Sequence, residues 1–150
     1  IIQSAVFMKL IERRTVKVSE IGQRAQAIFL AGANCAEAVW QAYAEEQGLD
    51  LEELKLGNRL AGGFGGGAGV EDLCGAVAGG ITALGYLYGR GPEEPRNPKL
   101  KSSCQKFCQQ AEKELGSLHC RDLRDPDNRG RCGLIVSKIA QMLWEHTGCS

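Results

Sequence analysis

The chain has 150 residues, 43% of them hydrophobic and 24% charged, a balance that excludes wholesale disorder and suits one domain able to bury a core without disulfide staples. Eighteen Lys and Arg residues offset eighteen Asp and Glu, so the basic excess of a protein that coats nucleic acid or an anionic membrane is missing, and neither partner is expected. Two counts stand out: 20 Gly, well above the ordinary share, and 7 Cys.

Residues 1–18 read as an N-terminal arm, with residues 9–18, basic and β-branched, irregular. Met8 could be the natural start, leaving Ile1–Phe7 as an added or upstream remnant. No signal peptide and no run of 18 apolar residues is visible, so no membrane span is expected and the cytoplasm is the default compartment. There, cysteines are reduced or metal-bound rather than disulfide-paired.

Residues 19–150 read as a single helical domain. Ser19 can cap a helix over 20–31, with Ile21, Ala25, Ile28 and Phe29 on one stripe. Asn34 caps a second helix, Cys35–Gln47, stopped by Gly48. Its Cys35, Ala38, Val39, Ala42 and Tyr43 form the apolar face, and Glu37, Gln41 and Glu45 face water. Asp50 caps a short helix over 51–60. The acidic stretch 35–89 reads as solvated helix surface rather than a cation site.

The run AGGFGGGAG, residues 61–69, is too glycine-rich for a helix or strand interior and predicts a loop that bends sharply or lets backbone approach something closely. A helix over 73–89 follows, with Asp72 its expected cap. Gly75, Gly79 and Ala83 line one side as a groove of small residues. Its four internal glycines cost about 1 kcal/mol each against Ala, so another helix, a second copy of the chain or a ligand must fill the groove. Asn97 and Pro98 start a helix that runs to Leu115, with Gly116 as its stop. Leu100, Cys104, Phe107, Cys108, Ala111 and Leu115 form its apolar stripe. Residues 117–131 read as a polar loop, and a last helix over 131–146 buries Ile135, Val136, Ile139, Met142 and Leu143. The expected fold is all-α: a compact bundle of four to five helices with a Gly-rich loop and a glycine-rich central helix.

Cys35, Cys74 and Cys132 fall at predicted helix N-termini, where free N–H groups and the helix dipole favour the thiolate that binds metal or attacks disulfides. Cys120, in the polar loop, could be a fourth member. The spacing alone is a weak signal. No C-x₂₋₄-C zinc knuckle, ferredoxin run, C-x-x-C redox motif or haem attachment site is present. Cys104 and Cys108 are explained by packing as small hydrophobes, and Cys149 reads as a loose free thiol.

The segments NCAEAV (34–39), CGAVAGG (74–80), CRDL (120–123) and RCGLIV (131–136) resemble the C_GCAxxG_C_C family of bacterial and archaeal redox-active proteins, over roughly residues 20–148. Cys74-Gly75-Ala76-Val77-Ala78-Gly79 matches the central motif outright. The resemblance implies that Cys35, Cys74, Cys120 and Cys132 are the characteristic cysteines, and that Cys104, Cys108 and Cys149 lie outside the pattern. Family members are often encoded near transporters or oxidoreductases. A related domain occurs in a haem cytochrome for which an iron–sulfur centre has been proposed. The resemblance thus implies a small electron-transfer or accessory protein with an iron–sulfur cluster, [2Fe–2S] in type, serving an oxidoreductase or transporter component. Thiol–disulfide exchange, for example between Cys120 and Cys132, and a zinc-binding docking module are the alternatives.

Gly63, Gly65 and Ala68 mimic a dinucleotide fingerprint, but a helix rather than a strand precedes them. The stretch 62–69 suits a wrap over the cysteine site, its N–H groups aimed at sulfur. His119, beside Cys120, could replace a thiolate ligand or relay protons. His146, near a helix C-terminus, reads as a favourable end charge.

Overall fold

A computed structural model describes residues 2–148, with side chains for residues 4–12 and 20–148. Cys149 lies outside the described residues. In chain order the helices are α1 (Ile2–Leu30), α2 (Cys35–Gln47), α3 (Leu51–Gly62), α4 (Gly75–Tyr88), α5 (Pro98–Leu115), α6 (Cys120–Leu123) and α7 (Arg129–Thr147), with one π-helical turn, Gly67–Glu71, before α4. No strand forms among the described residues. Leu73 and His119 make an isolated antiparallel bridge. The class is all-α, as expected, but six helices have twelve residues or more rather than four or five.

Local chemistry explains the sharpest boundaries. Asn34 closes a reciprocal box on α2: its side chain accepts from the Glu37 N–H, and the Glu37 carboxylate accepts from the Asn34 N–H, both at 2.9 Å. Gly48 ends α2 in the left-handed region. Asn97 and Pro98 open α5, and Gly116 closes it. α3, capped by Asp50, runs two residues past its expected end to Gly62.

Elsewhere the structure corrects the sequence reading. Residues 9–18 are helical, and Ser19 lies inside α1 rather than at a cap. Their β-branching costs only tenths of a kcal/mol per residue, too little to stop a helix already nucleated over its packed half. α4 begins at Gly75 with Cys74 at the N-cap, not Asp72. The expected loop 117–131 contains α6, and α7 starts at Arg129 and ends at Thr147.

α2 sits at the centre, packed against α1, α3, α4 and α7, and buries Ala36, Ala38, Val39, Trp40, Ala42, Tyr43 and Ala44. It is therefore buried around much of its circumference, more than a one-sided stripe predicts. The small residues of α4 explain how α2 comes so close. A β-carbon on Gly79 would lie 2.5 Å from the Ala36 carbonyl oxygen and 3.0 Å from its Cα. One on Gly80 would lie 2.5 Å from the Phe107 ring of α5. The groove along Gly75 and Gly79 is thus filled by α2 of the same chain, and it offers no argument for self-association.

Candidate functional site

The crossing of α2 and α4 sets the site. Cys35 is the first residue of α2, and its Sγ rests where a side chain on Gly75 would stand. Cys74, beside Gly75, is the N-cap of α4. The two strands of chain that precede Cys74 and Cys120 run antiparallel: the Cys74 N–H donates to the Leu118 carbonyl at 2.7 Å, and the Cys120 N–H donates to the Asp72 carbonyl at 2.6 Å. Cys120 opens α6. Cys132 lies in the first turn of α7, whose start is tied to α1 by Arg129, which donates to the Phe29 carbonyl at 3.0 Å and stacks 4.2 Å over the Phe29 ring.

All four positions are thus at helix starts, Cys120 included. Cys35 is close enough to Cys74, Cys120 and Cys132 for the thiols to oppose ionisation at each of those three. Cys120 and Cys132 stand in the same relation. Cys104 and Cys108 sit apart on α5, half-buried against the core.

Helix starts do not make these groups thiolates. Burial pushes the Cys74 thiol up to about 11, with the nearby Cys35 and Cys120 adding to the rise. The nearby backbone N–H groups of Val77 and Ala76 pull the other way without winning. Cys120 and Cys132 are also raised, first by burial and then by Cys35. At Cys74 and Cys132 the expectation of lowered thiol values fails because desolvation of a compact anion outweighs one partial helix-end charge. Arg124 counters the rise at Cys120, and Arg124, Arg129 and Arg131 counter it at Cys132.

The glycine-rich stretch packs over this cluster. Gly67 has φ 62°, and a β-carbon there would lie 2.8 Å from Cβ of Cys120 and 2.5 Å from the Asp72 nitrogen. Only glycine meets both the left-handed backbone and that approach. Asn34 holds the other end, donating from Nδ2 to the Gly62 carbonyl at 2.9 Å. Glu71 adopts φ 57°, strained for a residue with a side chain. Arg124 meets its carboxylate at 2.9 Å, and Arg121 donates to its carbonyl at 3.2 Å, fixing the turn against α6.

Asp72 does not cap α4. Its carboxylate meets His119 Nδ1 at 3.0 Å and Arg121 at 3.6 Å, and all three side chains are more than half exposed. His119 thus sits on the rim with an acidic partner. His146 is not a favourable end charge. Burial lowers it below its ordinary value, Lys106 adds to the effect, and its ring lies 5.7 Å from Phe107. The arginines around the cysteines went unread in sequence, and Glu71, read with Asp72 as a candidate cap of the helix at Cys74, pairs with Arg124 instead. The signal for the arginines was the alternation of opposite charges in RDLRDPDNRGR, residues 121–131.

Among the described residues, no three His, Cys, Asp or Glu side chains stand close enough to enclose a metal ion. No helix among them is long and apolar enough to cross a membrane. The sequence matches, over residues 33–146, the model of the family described as "Putative redox-active protein (C_GCAxxG_C_C)". Comparison with curated proteins and with solved structures returns no match.

Proposed function

The chain belongs to the C_GCAxxG_C_C family of redox-active proteins, and from that membership we propose that Cys35, Cys74, Cys120 and Cys132 hold an iron–sulfur cluster, [2Fe–2S] in type, in a small cytoplasmic electron-transfer or accessory protein that serves an oxidoreductase or transporter component. The observation that supports this reading is that all four family cysteines stand at helix starts, with Cys35 in electrostatic reach of the other three. Soft thiol donors suit iron and inorganic sulfide. Such a cluster supplies a one-electron store.

The chain's own residues do the rest. Burial favours the protonated thiol at Cys74, Cys120 and Cys132, so loading would release protons there. The backbone N–H groups of Ala76 and Val77, at the start of α4, favour the Cys74 sulfur as an anion. Arg124, Arg129 and Arg131 offset accumulated negative charge near Cys120 and Cys132. The glycine-rich wrap limits water at Cys120. A lone zinc ion, which holds four sulfurs at about 2.3 Å from one centre, is the alternative occupant.

The opposition between Cys120 and Cys132 favours a second reading. These two thiols would reduce a disulfide of a protein partner to two thiols and become a Cys120–Cys132 disulfide, a balanced two-electron exchange. Raised thiol values slow such an attack at neutral pH.

Anaerobic purification, with iron and acid-labile sulfide analysis, separates the readings. The cluster reading expects brown protein with matched iron and sulfide. Colourless protein that stays iron-free after reconstitution overturns it. A reversible Cys120–Cys132 crosslink, mapped by alkylation, then selects the exchange reading, and bound zinc without colour selects the docking module.

A further inference from the structure

The second face of α3 carries an anomaly that the cysteine site does not use. Leu56 is 58% exposed and Leu60 is 64% exposed, one turn apart on the same side of α3. They stand beside an apolar groove of about 460 Å³ between α3 and α4, with Trp40 as its floor and Gly57, Gly85 and Tyr86 along its sides. The groove is built, not accidental. The Trp40 indole lies where a side chain on Gly57 would stand and donates to the Leu54 carbonyl at 2.9 Å. Tyr86 closes edge-on over it at 5.6 Å and donates to Glu53 at 3.1 Å. Exposed leucines beside an apolar groove are the mark of an interaction surface.

We propose that this face is a homodimer interface, in which α3 of one copy packs antiparallel against α3 of a second and the Leu56 and Leu60 side chains of each enter the groove of the other. The occupant follows from self-complementarity. One surface carries both the ridge and the groove, as a two-fold contact requires, and such a contact closes at two copies.

The charges along α3 agree. Its first turn is acidic, with Glu52 and Glu53, and its last turn carries Arg59. Arg59 has no acidic partner among the described residues, and the nearest ion pair on the helix is the exposed Glu52–Lys55 contact at 3.8 Å. Glu52, Leu56 and Arg59 share a stripe at three- and four-residue spacing. A dyad beside Leu56 sets Glu52 of each copy opposite Arg59 of the other. A parallel arrangement would instead put acidic turn against acidic turn. The helix dipoles also oppose, as antiparallel packing prefers.

Sedimentation of the reduced full-length chain over a wide concentration range tests the proposal. Wild type should dimerise, and L56D should weaken dimerisation roughly tenfold or more without changing helicity, because Leu56 is exposed in the single copy. E52R and R59E should each weaken it several-fold, and the double reversal E52R/R59E should recover most of the loss. A wild-type chain that stays monomeric at the highest concentration overturns the proposal. A dimer that L56D leaves intact, or a double reversal no tighter than the single ones, overturns it equally.

Discussion

The molecule holds two sets of cysteines in unlike surroundings. Cys35, Cys74, Cys120 and Cys132 come from four helices, each at or near an N-terminus, and glycines beside them bring backbone against thiol. Cys104 and Cys108 lie one turn apart in the middle of α5, on its apolar stripe, with the thiol of one raised by burial and that of the other by burial and its neighbour. Both sets are free thiols, and burial raises Cys74, Cys120 and Cys132 in the first as it raises Cys104 and Cys108 in the second. Burial alone therefore does not separate the two sets; what separates them is that the first is drawn from four helix starts distant in the chain, and the second from neighbouring turns of one helix.

Removing Cys35 breaks that contrast most completely. Because Cys35 neighbours all three partners, C35A should abolish iron and sulfide retention in anaerobically reconstituted protein. C104A/C108A should retain the wild-type content. Equal retention in both would erase the distinction.

Next in size is the scaffold beneath the first set. G79A drives a methyl into the Ala36 backbone, which cannot rotate away, and should cost about 3 kcal/mol in denaturant unfolding. Gly85, on the same helix with nothing within 4 Å of its side-chain position, is the control. At concentrations that keep the chain monomeric, G85A should gain roughly 0.5–1 kcal/mol from helix propensity.

The Cys74 thiol sharpens the comparison through pH. Its folded value, about 11, stands above the ordinary 9.0, so folding favours the protonated form. The stabilisation is complete below pH 9 and is lost as pH rises toward 11, on the order of 2 kcal/mol in metal-free protein. C74A should flatten that alkaline decline. The smallest effect belongs to His146 beside α5. Its value is lowered, so stability is present above the ordinary 6.5 and declines as pH falls below it, and H146F should remove the decline in thermal melts at constant ionic strength.

What was legible in the sequence is what local chemistry decides. The bounds of α2 and α5 follow from Asn34 and Gly48, and from Asn97, Pro98 and Gly116, residues that act within a turn of themselves. α6 was not legible, because CRDL is too short for a period and forms where residues 118–120 dock on residues 72–74. Asp72 had the look of a cap, but His119 and Arg121, distant in sequence, claim its carboxylate. The motif singled out four cysteines. The raised values at Cys74, Cys120 and Cys132 were beyond it, since desolvation is set by which helices close over a residue, and no spacing rule encodes that.

The meeting of Gly79 with Ala36 carries a consequence of its own. Where helices touch through side chains, rotamers can exchange and the gap between them breathes. Here main-chain atoms abut, and main-chain atoms of a helix have no alternative positions to visit. The separation of Cys35 and Cys74, which flank that crossing, is thereby held stiff against changes of temperature or of charge at sulfur.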